Sequence, residues 1–279
     1  MKKRVLSIML AAVMTLCLAA CGSSTNEDDT TAEKKPTLKF ATLGAMKPTV
    51  QFIADGLVEL GYPEPEIVLF DGNEMPATAV KDGDVDGALA NHIFWVQNFA
   101  ENNNCELTML QPYYFITPVS LYSQKYKTVE ELPEGATITI PNDPTNRDKA
   151  LRMLRDAGLI TLKDIAEGEN YQMAIDIVEN PKKLEIVEMD IMSTGRAIME
   201  TDASITTAAN AADVGVDPSI YLYRSNEYRE MGMFVRNDTL DEEWVKDYAT
   251  VINSQKLKDK FNEYYKGIYV LCSELEKSK

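Results

Sequence analysis

Residues 140–151, IPNDPTNRDKAL, contain the change from a strand to a helix on which the fold assignment depends. The preceding run ATITI (136–140) is β-rich, and the Pro and Asn residues after it end the strand. Asp143 is a preferred N-cap, and Pro144 fits the first helical position because its missing N–H would have no partner there. We therefore expect a helix from Pro144, closed by Gly158.

This turn carries two cations, Arg147 and Lys149, at the C-terminal end of a strand. Open α/β sheets bind ligands at such ends, and the free amides of a helix N-terminus attract anions. A nearby guanidinium or ammonium strengthens that attraction. The spacing suits a small carboxylate ligand, but taken alone it slightly favours solvated surface cations, so both interpretations stay open at this point.

Short β-rich runs alternate with helical patterns along the chain. The predicted strands are 38–44, 66–70, 85–90, 136–140, 183–189, 203–207 and 231–236, and the predicted helices are 47–61, 75–83, 92–103, 144–159, 193–201, 241–254 and 256–268. This alternation predicts an α/β fold with mainly parallel sheets.

A charged segment with a proline and a glycine, residues 120–135, separates two such α/β units. The two C-terminal helices need a sheet on which to lie. The most economical arrangement has two lobes, with the tail returning to the first. We predict residues 37–123 plus 223–279 as lobe 1 and residues 124–222 as lobe 2.

The first residues are typical of an export signal. Three basic residues precede an apolar run that is shorter than the ~20 residues of a membrane-spanning helix. The run ends in Leu-Ala-Ala-Cys (18–21), which resembles the lipobox of bacterial lipoproteins, in which the cysteine is lipidated. We predict a signal peptide over 1–20 and a lipid anchor on Cys21, hence an extracytoplasmic, membrane-anchored protein. An ordinary signal with a chance cysteine is the alternative. Residues 21–36 are polar and acidic and predict a flexible tether.

The charge balance is acidic. Without residues 1–20 the chain has 25 Lys and Arg against 44 Asp and Glu, a net charge of −19. This speaks against nucleic acid and anionic membrane surfaces as partners. Cys105 and Cys272 are the cysteines of the folded region, and export permits a disulfide between them, but sequence does not decide whether one forms.

Motifs for metal or catalysis are weak. Asp82-x-Asp84-x-Asp86 imitates an EF-hand loop, whose twelfth position should be glutamate but is Ile93. The chain has one histidine, so a two-His metal site is impossible. We expect no metal, no cofactor and no enzymatic activity. Trp95, beside that histidine, is as compatible with a pocket as with the core.

Three features of the chain resemble the MetQ/NlpA family of substrate-binding lipoproteins. They are the segment SLYSQKYKTVEELPEGATITIPNDPTNRDKALRMLRDAGLITLKD (120–164), the segment DIVENPKKLEIVEMD (176–190), and Arg196 before Asp202-Ala203. Similarity extends from about Leu38 to Val270. The resemblance implies a two-lobed periplasmic-binding-protein (type II) fold with the ligand cleft between the lobes. It also implies delivery of an amino acid, methionine in the type member, to the permease and ATPase subunits of an ABC importer.

The ligand-contacting positions depart from the family pattern. The family arginine that pairs with the ligand carboxylate falls on Lys149, and a lysine loses the bidentate fork. Two Phe positions in DGALANH (86–92) are Leu89 and Ala90, although its histidine is kept. A second-lobe Asn that contacts the ligand amino group is Thr207, and an expected Tyr is Gly72. Methionine is therefore the family default and is not demonstrated by these residues.

The sequence thus predicts an ABC-importer lipoprotein that captures methionine or a related small amino acid by lobe closure. The predicted ligand-binding residues are His92, Trp95, Asn142, Asn146, Arg147, Lys149 and Thr207. Alternatives are a different solute, such as another amino acid or a small peptide, an extracytoplasmic enzyme that uses a carboxylate pair such as Asp84 and Asp86, and a surface adhesin or signalling lipoprotein.

Overall fold

Two five-stranded sheets with helices on their faces organise the chain. The structure is a computed structural model that describes residues 34–275, apart from the side chain of residue 174. The strands are β1 (Lys39–Leu43), β2 (Glu66–Phe70), β3 (Gly87–Leu89), β4 (Leu107–Met109), β5 (Phe115–Ile116), β6 (Val119–Tyr122), β7 (Thr137–Pro141), β8 (Thr161–Leu162), β9 (Ile177–Glu179), β10 (Glu185–Met189), β11 (Ala203–Thr207), β12 (Tyr223–Arg224), β13 (Glu230–Met231), β14 (Phe234–Arg236) and β15 (Val270–Leu271). The helices are α1 (Lys47–Glu59), α2 (Met75–Asp82), α3 (Ile93–Asn102), α4 (Pro144–Asp156), α5 (Met173–Asp176), α6 (Thr194–Ala197), α7 (Ala208–Asp213), α8 (Glu243–Asn253), α9 (Gln255–Tyr265) and α10 (Cys272–Leu275).

Both large sheets have the same topology. The first has the order β2-β1-β3-β14-β4, and the second has the order β10-β7-β11-β6-β12. In the first sheet β14 is antiparallel to both neighbours, while β1 is parallel to β2 and β3. In the second sheet β6 holds the corresponding antiparallel position. Four of the five strands in each sheet therefore share one direction, which confirms the predicted α/β fold with mainly parallel sheets.

Two predicted elements differ from the structure more than the others do. The strand predicted over 231–236 is split into β13 and β14, because the Met233 N–H donates to the Tyr248 hydroxyl over 3.1 Å rather than to a strand. The helix predicted over 193–201 is reduced to α6. The Thr194 hydroxyl bonds the carbonyl of Ile191 and the hydroxyl of Thr206, and such side-chain bonds compete with a continuing helix.

Each sheet has its own core. Helices α1, α8 and α9 bury Ile53, Trp244 and Phe261 in one cluster with Phe40 of β1. Helices α2 and α3 cover the other face of the first sheet. The C-terminal helices thus pack on the first sheet, as their need for a sheet predicts. The second sheet buries Ile138 and Ile205 against α4.

The chain passes between the two sheets at residues 117–118 and 225–229, next to the small sheet β13-β5-β15. Strands β6 and β12 pair in the second sheet, although the predicted boundaries leave both outside lobe 2. The lobe boundaries stay a prediction, and these pairings favour connections slightly nearer the small sheet.

Three predictions fall wholly or mostly on residues that the structure does not describe. The signal peptide, Cys21 and the tether as far as residue 33 lie outside the described residues.

Within residues 34–275, none of the helices combines the length and the apolar character needed to cross a bilayer. Cys105 carries a free thiol, so the disulfide to Cys272 is not formed.

Candidate functional site

Strand ends from both sheets meet at a cavity of about 80 Å³. Its apolar wall includes Leu43, Ala90, Val119, Ile191, Met231 and Tyr269. Its polar wall contains four amide side chains, those of Asn73, Asn91, Asn146 and Asn210. Among the described residues that line it, the titratable groups include His92, Lys149 and Arg229, and neither Asp nor Glu is present. Apolar walls with a few convergent polar groups are typical of small-molecule sites.

His92 lies between the two sheets. It is the N-cap of α3, where its Nδ1 accepts the Trp95 N–H over 3.1 Å. Nδ1 is therefore unprotonated, and the ring proton on Nε2 is donated to Oδ1 of Asn146, 3.1 Å away. Burial and the positive charges of Arg229 and Lys149 lower the pKa of His92 to about 3. The ring is neutral at physiological pH, and its bond to Asn146 joins α3 of one sheet to α4 of the other.

The start of α4 is built as the sequence predicts. Asp143 is the N-cap, and its carboxylate accepts the Asn146 N–H over 3.1 Å. The same carboxylate accepts the Thr145 hydroxyl and the amide Nδ2 of Asn146. Asn146 is thus held at both ends, with Nδ2 on Asp143 and Oδ1 on His92. This confirms the predicted helix start and fixes the orientation of Asn146 at the cavity.

Lys149 lines the cavity but its ammonium is engaged. The side chain is 3% exposed, and Nζ donates to the carbonyl of Glu227 over 2.7 Å. Burial, and then the charge of Arg229, lower the pKa of Lys149 to about 8. The ammonium therefore ties α4 to the segment that returns from the second sheet to the first.

Arg147 does not line the cavity, which corrects its predicted position. Its Nη1 is 3.3 Å from the Glu188 carboxylate, and its Nε donates to the carbonyl of Tyr171. The reason is helical geometry: each residue turns about 100° around the axis, so Asn146 and Lys149 share a face and Arg147 leaves it.

Trp95 and Asn142 are also outside the cavity, contrary to prediction. Trp95 is 6% exposed and stacks on Phe99 with ring centroids 5.4 Å apart. It belongs to the core between α3 and the first sheet. Both residues border a separate hollow that contains Gly72. A helix position one turn from the cap points to the core, because α3 buries that face.

Thr207 lines the cavity at the end of β11. It is the N-cap of α7, and its hydroxyl oxygen accepts the Asn210 N–H over 3.1 Å. The hydroxyl proton is not used by that bond. Thr207 can therefore donate to a ligand while it caps the helix.

Arg229 and Thr117 are among the cavity residues that the sequence prediction missed. Arg229 is 7% exposed, and its guanidinium bonds the Thr145 carbonyl (2.5 Å), Asp148 (3.2 Å) and Glu227 (3.3 Å). Its Nε and the Thr117 hydroxyl are buried without a partner among the described residues. In the sequence, Arg229 is an arginine just before a predicted strand, and this position does not indicate that it lines a cavity.

Two α/β lobes of equal topology around a cavity at their strand ends define a two-lobed substrate-binding protein of the periplasmic type. The family model of the NlpA lipoproteins matches residues 38–271. The chain belongs to the NlpA lipoprotein family.

Three known proteins illustrate the similarity. A probable D-methionine-binding lipoprotein MetQ of Haemophilus influenzae is 28% identical over 270 residues, which cover 95% of this chain and 97% of that protein. A nutrient binding protein of Burkholderia cenocepacia, solved bound to methionine, superposes with a TM-score of 0.78 at 26% identity, covering 85% of this chain and 100% of that one. The substrate binding protein of a methionine transporter from Streptococcus pneumoniae gives a TM-score of 0.76 at 26% identity, over 84% and 95% of the two chains.

Proposed function

We propose that this chain is the substrate-binding lipoprotein of an ABC importer and that it captures methionine or a related small amino acid by lobe closure. The observation that carries the proposal is the cavity between the two sheets, with a buried cation pair and oriented amides on an apolar wall. The relatives are named as methionine-binding, or as part of a methionine transporter, or were solved bound to methionine, and this supports an amino acid as the ligand class.

The partners follow from the same class. The ligand would be passed to the permease and ATPase subunits, and the chain would be held at the membrane by a lipid on Cys21, outside the cytoplasm. Closure would use the two connections between the sheets as a hinge. The His92–Asn146 hydrogen bond, which joins α3 to α4, would stabilise the closed arrangement.

No chemistry is required of the protein in this proposal. The relatives are binding proteins, and both ring nitrogens of His92 are engaged in hydrogen bonds. The carboxylate of Asp86, one of a pair considered for catalysis, accepts the Lys39 N–H at the start of β1. These contacts support a binding role over an enzymatic one.

A different solute is the second candidate, because the cavity departs from the family pattern. Ala90 stands where the family has a Phe, and Thr207 where it has an Asn, and both line the cavity. A smaller wall residue and a lost amide change the shape and the polar contacts offered to a ligand's side chain.

Thermal unfolding of the full-length chain in detergent, against a panel of L- and D-amino acids, tests the proposal. A ligand at a hundredfold its Kd should add about 2.7 kcal/mol, which for a domain of this size raises the midpoint by roughly 5–11 °C. A rise with methionine supports the family ligand, and a rise with another compound supports the second candidate. No rise with any panel member, together with turnover of one of them, would contradict both.

A further inference from the structure

Arg229 lines the cavity and has unfilled hydrogen-bonding capacity. A guanidinium has five N–H donors, and three hydrogen bonds of Arg229 are accounted for by Thr145, Asp148 and Glu227. Its Nε is buried and has no partner among the described residues. A buried N–H donor without an acceptor is unfavourable in free energy. When the donor belongs to a charged guanidinium, an anion is its strongest hydrogen-bond acceptor.

Thr117 brings a second unfilled group to the same place. Strand β5 pairs antiparallel with β13, with Ile116 opposite Glu230. Continued by one residue, this register puts Thr117 opposite Arg229. Both residues line the cavity, and the Thr117 hydroxyl is likewise buried without a partner in the described chain. The two chain connections between the sheets therefore each contribute one unsatisfied polar group.

The guanidinium is held rigidly. Asp148, 4% exposed, accepts from Arg229 as well as from Arg152, and Glu227 accepts from the same Nη2 of Arg229. The Cζ of Arg229 lies over the Phe94 ring, 5.3 Å from its centroid. Acidic partners and an aromatic ring therefore fix the cation before any ligand arrives, and preorganisation of this kind lowers the cost of binding.

From this arrangement we infer that Arg229, with the hydroxyl of Thr117, binds the ligand's carboxylate, and that Lys149 positions the segment carrying Arg229. The inference rests on the proposed function. Lys149 donates to the carbonyl of Glu227, two residues before Arg229, so its ammonium serves the protein's own backbone. An arginine at the hinge thus takes over the role that the family pattern assigns to the position of Lys149.

The test pairs variants with two probes that differ in one group. L-methionine and L-methioninol share the ammonium and side chain, but methioninol has a hydroxymethyl group in place of the carboxylate. Affinities of the full-length chain for both are measured by titration calorimetry. We expect the wild type to prefer methionine on the order of 100-fold, as charge-assisted hydrogen bonds to a buried carboxylate require.

The variants separate the roles. R229Q should reduce the preference to within about threefold, and T117V should reduce it about threefold to tenfold. K149M should lower the preference by less than R229Q does, because Arg229 is still present but the segment that carries it loses one hydrogen bond to α4. R196Q is the matched control, since the Arg196 side chain is 82% exposed and pairs with Glu200, and it should behave as the wild type does. R229K keeps the charge, and a lowered preference in a chain whose unfolding midpoint matches the wild type shows that loss of folding is not the cause.

Different results would overturn the proposed function and the inference about Arg229. A wild type that binds neither probe would overturn the proposed methionine ligand and the inference with it. A wild type that prefers methionine, together with an R229Q or folded R229K variant that keeps the full preference, would overturn the inference alone. A complete loss of the preference in K149M, with the preference kept in R229Q, would assign the carboxylate to Lys149 instead.

Discussion

The single histidine makes the electrostatics of the cavity directly measurable. Burial and two neighbouring cations lower the pKa of His92 to about 3 in the folded protein, whereas an unfolded histidine titrates near 6.5. Below pH 6.5 the unfolded chain therefore binds a proton that the folded chain refuses. The free energy of unfolding is complete above pH 6.5 and falls as the pH drops toward 3.

The size of the effect follows from the two pKa values. Each pH unit between them costs about 1.4 kcal/mol, so lowering the pH from 7 to 5 should remove about 2 kcal/mol through His92 alone. H92N is the matched variant: asparagine is a preferred N-cap and can still accept the Trp95 N–H, but it does not titrate. Its lost bond to Asn146 lowers stability equally at both pH values.

Urea unfolding of the ligand-free wild type and H92N at pH 7 and pH 5 gives the comparison. Carboxylates titrate in both proteins and cancel in the difference, so the wild type should lose about 2 kcal/mol more than the variant. The ring proton resonance of His92 should not shift between pH 8 and 5. Equal losses in the two proteins, or a resonance that titrates near 6.5, would refute the reasoning and place the ring in water.

Three further outcomes test other parts of the structure. D143A should lower the free energy of unfolding by about 1–2 kcal/mol in urea unfolding, because three donors at the start of α4 lose their acceptor, and D143N should restore most of it. Burial lowers the pKa of Lys149 to about 8, so the free energy of unfolding of the wild type should rise by about 1 kcal/mol between pH 8 and 9 relative to that of K149M. An equal dependence of the free energy of unfolding on pH in the two proteins would refute that pKa. G195A should cost roughly 1–3 kcal/mol because an added Cβ meets the backbone carbonyl of Asn210, whereas G44A, with open space around it, should be silent by the same measurement.

Much of the fold was predictable because it is encoded locally. The strands at 66–70 and 203–207 coincide with β2 and β11, since short β-rich runs between turn residues leave few alternatives. Asp143 caps α4 because aspartate before proline specifies that start by itself. The split of 231–236 was not predictable, because it depends on the hydroxyl of Tyr248 from a distant helix.

The candidate site was predictable only in part. His92, Asn146, Lys149 and Thr207 line the cavity, and each lies at the end of a strand or in the helix or cap that follows one. Arg147 and Trp95 also lie at such ends, but their direction around a helix axis turns them to the second sheet and to the core. Proximity in sequence to a strand end does not determine which way a side chain points.

The sequence by itself determined the two α/β units and the helix start at Asp143, and resemblance to known proteins indicated the family. Propensity, capping and periodicity act over a few residues, so the strands, the helices and this helix start can be predicted from the sequence alone. Only the tertiary structure decided that Thr117 and Arg229 line the same cavity, because antiparallel pairing of β5 and β13 joins segments more than a hundred residues apart. It also decided that the ammonium of Lys149 is engaged, since the Glu227 carbonyl reaches it only after the chain has returned from the second sheet.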